Sequence, residues 1–483
     1  MRSRRLAILA AAGALLLPGC TSFADTVTAT DAPAATDAPA TTPEPQPSDA
    51  ATCPAERAAP DPHRPEVHLD FRLADDGATV TGSETVHFTP DLAVRELVFR
   101  LVPNGPDSAT AGNHLVVDGV RGGDVADGRY EAAAAAAPGG LYVVPLRKEL
   151  PAGESTDVDL AFTLSLGGGT FDRFGTAKGL SWWASGAPLL AWEPGVGWAR
   201  DPFVHLNGET ATSPAADTSI SVSAPQDLTV VMTGTQAEPS PPEGGRRIWR
   251  STEPAARDVG VAAGAFAVAE RDTPGGTRVR AAALPGGDVA PGRLLDEAMT
   301  SIADLERFLG PFPYATETIA LLPDYGGGIE YPGFVFEATP NPEVLVHELA
   351  HMYFYGMVGN SQFRDPWLDE AFASWAEGVV DRGRSLVDVN AFALKGPVGG
   401  SMADYPDDAA YVQHVYDKGG AALLTARQTA GPEAFDAAIR CYVNSQAWRI
   451  ATPADLGSAL ADLPAAVAVL VRAGALDEDD VPR

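Results

Sequence analysis

Between residues 66 and about 270, apolar and polar positions alternate in short runs separated by Gly, Pro and Asp. Over residues 66–73, Val67, Leu69 and Phe71 alternate with His68, Asp70 and Arg72, the period-two pattern of a strand with one buried face. Residues 84–88, 97–101, 158–164, 219–222 and 228–232 carry similar runs. From about residue 290 the period lengthens. Leu295, Met299, Ile302, Leu305 and Phe308 recur three or four places apart and predict a helix over 294–309. Residues 317–322 and 329–336 read as strands on either side of Gly326, Gly327 and Gly328.

Two further helices have legible starts. Asn341 stands as a cap before Pro342, in a helix running to Gly356, and Asp365 stands as a cap before Pro366. The pattern predicts a multidomain α+β chain: an all-β N-terminal domain over 63–272, a mainly helical domain over 273–465 and a short C-terminal tail over 466–483. No internal repeat of about 20 to 50 residues is visible, which argues against a propeller or solenoid.

Composition narrows the classes of function. At 483 residues the chain exceeds one compact core, and with 45% hydrophobic and 20% charged residues it is neither wholly disordered nor a polytopic membrane protein. Its 64 acidic against 34 basic side chains give a formal charge of -30, which repels phosphate and excludes nucleic acid as a partner.

The first residues read as an address. Arg2, Arg4 and Arg5 precede an apolar run over 6–17 that is too short to span a bilayer, as in a secretory signal peptide over 1–19. Leu17-Pro18-Gly19-Cys20 resembles the lipobox of bacterial lipoproteins, in which the cysteine becomes the lipidated first residue. A plain signal peptide cleaved nearby is the alternative. Residues 20–62, rich in Thr, Ala and Pro, read as a disordered tether, so the chain is expected to be exported and held on the outer face of the cell membrane through Cys20. Cys53 and Cys441 either pair in a disulfide or remain thiols.

The chemistry lies on the two capped helices. His347-Glu348-Leu349-Ala350-His351 puts two imidazoles four residues apart on one helical face, where both can hold one metal ion with Glu348 beside it. The turn after Gly356 reverses the chain, so that Glu370, separated from His351 by 18 residues, can supply a third ligand. Two imidazoles and one carboxylate leave a fourth tetrahedral position for water, which favours one catalytic Zn2+ over calcium or magnesium. Glu348 is then placed to accept the proton of that water. A buried helix whose histidines merely hydrogen-bond is the bland alternative.

With the 18-residue gap, the segments from His347 to His351 and from Trp367 to Ala373 resemble the zinc motif of the aminopeptidase N family of gluzincins. Gly327-Gly328-Ile329-Glu330-Tyr331 resembles that family's Gly-Ala-Met-Glu-Asn exopeptidase motif, and Tyr416-Asp417-Lys418-Gly419 its Tyr-Glu-Lys-Gly segment. The segment from Leu190 to Pro194 resembles, more weakly, the part of the β domain that helps bind the substrate amine.

The resemblance implies a saddle-like β domain followed by a thermolysin-like zinc peptidase domain without the family's large helical C-terminal domain. It implies Tyr416 as donor to the oxyanion, Glu330 and Glu193 as anchors for the substrate ammonium, and Gly327 and Gly328 as the place where substrate backbone approaches. The implied partners are peptides with a free N-terminus and the implied reaction is removal of their first residue. A zinc endopeptidase and a non-catalytic cell-surface binding protein are the competing readings.

Ile329 and Tyr331 depart from the family motif, and Asp369 stands where the family often has asparagine. Glu377, seven residues beyond Glu370, lies on nearly the same helical face and can reach a ligand imidazole. His414 reads as structural.

Overall fold

The computed structural model describes Cys53 and residues 56–482, apart from 171–172, 207, 209–210, 323–326, 338–340 and 381–386. The signal peptide, Cys20 and most of the tether lie outside the described residues, as does Gly326. Cys53 to Arg483 form one compact unit by contact. No described helix is long and apolar enough to cross a membrane.

Alternating burial builds the N-terminal part. Glu66–Leu73 buries Leu69, Phe71 and Leu73 on one face, while Asp70 and Arg72 stay in solvent. It sits inside a seven-stranded sheet, antiparallel to Thr79–Phe88 on one side and parallel to Ala216–Pro225 on the other. Smaller sheets pack against it around Phe71, Phe162 and Trp183, whose rings meet edge to face. All six strand-like runs fall within or overlap observed strands.

The second part opens with a five-stranded sheet, of which the sequence reading anticipated only the strand runs at 317–322 and 329–336. Its strand order is Ala267–Asp272, Arg278–Ala283, Thr316–Leu321, Phe334–Glu337 and Gly328–Tyr331. The expected domain boundary at 272/273 therefore cuts a hairpin, because Ala267–Asp272 pairs antiparallel with Arg278–Ala283. The expected strand over 329–336 is also a hairpin. It turns at Pro332 and at Gly333, which holds a φ of 64° that few other residues adopt. Glu330 is thereby carried on a strand at one edge of the sheet.

Helix Pro291–Leu309 lays Leu294, Leu295, Ala298, Ile302 and Leu305 into the core that also receives both metal-motif helices. The expected C-terminal tail is part of that core. Pro464–Ala473 forms a helix, and Ala466, Val469, Leu470 and Ala473 are buried at helical spacing. The expected tether overruns at its other end, since Ala58 donates its backbone N–H to Asn444 and Cys53 is bonded to Cys441. That disulfide settles which of the two thiol readings holds.

Between the N-terminal sheets and this five-stranded sheet lies a third apolar cluster, in which Trp182, Val231 and Ala262 meet Ala282, Ala320, Phe334 and Phe336. The buried Arg257 reinforces this junction by donating to the backbone carbonyls of Ser213 and Gly356. Burying an Arg is unfavourable unless its donors are used, and here they are.

Candidate active site

The first metal-motif helix is Pro342–Ala350, and the Asn341 side chain accepts from the N–H of Glu343, as a cap should. The helix ends at Ala350 and not at Gly356. His351 is its terminal cap, and tight turns follow in which Gly356 N–H bonds the His351 carbonyl. The second helix is Trp367–Val380, one residue later than expected, with Pro366 accepting from the N–H groups of Asp369 and Glu370. Both helices bury their inner faces, so the polar side chains between them are held by apolar packing.

His347, His351 and Glu370 come together with their donor atoms within 4.8 Å of one another. Each imidazole turns Nε2 toward Glu370 Oε2, at 3.2 Å from His347 and 3.4 Å from His351. Each turns Nδ1 away, toward another carboxylate: His347 toward Glu377 Oε1 at 2.7 Å and His351 toward Asp369 Oδ1 at 2.6 Å. Two Nε2 lone pairs and a carboxylate facing a common centre fit a tetrahedral metal ion with an open position.

The field around that centre is strongly negative. Burial alone would lower His347, yet hydrogen bonds to Glu370 and Glu377 raise it to about 10. His351 is raised well above its ordinary value, since Glu330, Asp369 and Glu370 outweigh its burial. Burial would raise Glu370, and the two imidazoles instead hold it well below the carboxylate range.

Glu348 and Glu330 form a second group with His351, again within 4.8 Å. Burial pushes Glu348 up to about 7, partly relieved by the imidazoles, and Glu330 up to about 8, relieved by His351. Gly328 lies against Glu348, and a Cβ there would meet Glu348 Cγ at 2.4 Å. Gly327 beside it has a φ of 143°.

Tyr416 reaches the same centre from a π-helical segment, Val412–Lys418, a distortion that the sequence did not signal. Its ring stacks on His347 at 5.8 Å between centroids and 3° between planes, and its phenol hydrogen-bonds to Glu370. A Cβ at Gly419 would meet Ala371 Cβ at 2.5 Å, so glycine here brings the tyrosine segment against the second metal-motif helix. His414 bonds the carbonyls of Ala410 and Lys395.

Glu193, expected as an anchor for the substrate ammonium, has a partner within the protein. Its carboxylate is buried, on the short strand Trp192–Glu193, and is ion-paired with Arg364 from the loop between the two metal-motif helices. It belongs to neither of the two groups at the centre among the described residues. Arg364 and the Asp369 hydrogen bond to His351 are the contacts that sequence reasoning missed. Asp369 carried a signal as a departure from asparagine, whereas Arg364 carried none.

No family model matches the chain. Among curated proteins it is 25% identical to the rice aminopeptidase M1-B over 237 residues, covering 42% of this chain and 27% of that protein. It is 26% identical to the tricorn protease-interacting factor F2 of Thermoplasma acidophilum over 204 residues, 35% of this chain and 26% of that protein. The aligned stretches thus span about a quarter of the length of these relatives.

Among solved structures the fold is similar to the M1 zinc metallopeptidase of Deinococcus radiodurans, with a TM-score of 0.65 at 18% identity over 88% of this chain and 96% of that one. A mutant of that protein bound to a Tyr-Ser-Ala substrate aligns with a TM-score of 0.64 at 17% identity, over 85% and 94% of the two chains. The chain is thus similar in fold to an M1 zinc metallopeptidase and, over part of its length, similar in sequence to M1 aminopeptidases, and it brings together the His347, His351 and Glu370 that the sequence resemblance implied.

Proposed function

We propose that the protein is a zinc-dependent aminopeptidase, with one Zn2+ held by His347, His351 and Glu370. The observation that carries this reading is the grouping of Glu330 with Glu348 and His351. A buried carboxylate beside the proton-transfer group suits a substrate ammonium, and an ammonium held there puts the first peptide bond, rather than an internal one, at the reacting centre. When bound, the zinc ion supplies Lewis acidity to the scissile carbonyl and to a water molecule.

The side chains do the rest. Glu348 takes the water proton and hands it to the leaving amine, a task suited to a carboxylate that burial has moved toward neutrality. Tyr416 donates from a phenol that its surroundings keep protonated. Glu330 anchors the ammonium, and the edge strand Gly328–Tyr331 offers backbone groups to an extended peptide. Glu193, paired with Arg364, acts in this scheme as a tie between the β region and the metal-site loop.

Export and a lipid anchor at Cys20 complete the proposal. The Cys53–Cys441 bridge supports an extracytoplasmic setting, because such bonds persist in oxidising compartments.

Aminoacyl fluorogenic substrates test the reaction. The zinc-loaded protein is expected to cleave them, and Glu348→Gln to lose at least ~100-fold in kcat, the usual scale for a general base. Equal turnover of N-acetylated and free-amine peptides would overturn the aminopeptidase reading in favour of an endopeptidase.

A further inference from the structure

The two imidazoles at the centre are backed by two different carboxylates, and the one behind His351 is unusual. Asp369 is 1% exposed, and its Oδ1 lies 2.6 Å from His351 Nδ1. Its other oxygen accepts from Gln362 Nε2 at 3.2 Å. In this orientation Gln362 leaves its own Oε1 buried without a partner. Orphaning a buried carbonyl is unfavourable by about 1–3 kcal/mol. Turning the amide over would instead set Oε1 against Oδ2, acceptor against acceptor. Gln362 is therefore oriented to serve the carboxylate of Asp369.

We propose that Asp369 is a positioning residue whose carboxylate, accepting from His351 Nδ1–H, tightens the hold of the site on its metal ion. This rests on the zinc reading above. A ligand imidazole that gives its Nδ1–H to a carboxylate is a stronger donor at Nε2 than one that gives it to a neutral amide, and the ring cannot swing. With Glu370 and Glu377, three carboxylates then surround two imidazoles, so a divalent ion is more than neutralised within hydrogen-bonding reach. Arg257, the buried cation whose field reaches Asp369, donates instead to backbone carbonyls and leaves that charge to the imidazole.

The test uses the purified chain, metal-free, with zinc affinity measured by competition against a chromogenic chelator and with Co2+ as a spectroscopic substitute. Asp369→Asn is nearly isosteric and keeps an acceptor for His351, so it isolates the charge. Its zinc affinity is expected to fall about ten- to a hundred-fold and its cobalt absorption bands to shift. Asp369→Ala is expected to bind zinc more weakly still. An asparagine variant with wild-type zinc affinity and an unchanged cobalt spectrum overturns the inference. Failure of the wild type to take up zinc overturns the zinc reading itself, a separate result.

Discussion

A single methyl group at residue 328 would strike the side chain that the mechanism depends on. The approach of 2.4 Å to Glu348 Cγ is far inside van der Waals contact, so Gly328→Ala must move either the edge strand or the carboxylate. Because a misplacement of about 1 Å costs on the order of a hundredfold in rate, kcat is expected to fall by about that factor while zinc content stays at one per chain. Stopped assays with metal analysis on the same sample check both. Unchanged kcat would mean that Glu348 has slack the geometry does not display. At this scale the sequence was most legible where spacing alone dictates the chemistry: His347, His351 and Glu370 converge because helical periodicity and a reversing turn leave them little choice. The Glu193–Arg364 pair was illegible, since 171 residues separate the partners and no local pattern links them.

At the scale of elements, the helix that carries both histidines is only nine residues long, too short to be stable by itself. Its cap therefore matters. Asn341→Ala is expected to lower stability by about 1 kcal/mol, seen as a lower urea midpoint of the metal-free protein; a midpoint equal to wild type would show that tertiary packing alone fixes the helix. Starts of helices were easier to read than ends. Asn341-Pro342 announces the first, but nothing before Gly356 marks the stop at Ala350, which comes from turns closed by the buried Met352, Tyr353 and Phe354. Pro332-Gly333 carried a turn signal, and Ala466, Val469, Leu470 and Ala473 a helical spacing, that the strand reading of 329–336 and the tail reading of 466–483 passed over.

At the scale of the whole molecule, buried acids make stability depend on pH. Glu253, on strand Arg246–Ala256, has Oε2 buried without a partner, and burial pushes its carboxyl from 4.5 up to about 8. Glu317 is raised in the same way, by burial and then by Glu253. A raised carboxyl stays protonated in the folded chain and ionises on unfolding, so its contribution is complete below pH 4.5 and is lost as pH climbs toward about 8. Glu253→Gln removes one such group and is expected to flatten that decline, with a gain on the order of a few kcal/mol at pH 8. Urea midpoints from pH 5 to 8 check this, and parallel curves for the two proteins would contradict it.

The disulfide also governs how the fold meets a pull. Tension arriving through the residues before Cys53 passes into the sulfur bridge and on to helix Pro432–Ser445, which holds Cys441. Strand Glu66–Leu73, although next along the chain, is shielded from that load, and the sheet it sits in is spared from being unzipped from its central strand. Breaking the covalent shortcut would reroute the force through hydrogen bonds, so reduction is expected to turn a mechanically stiff attachment into a compliant one.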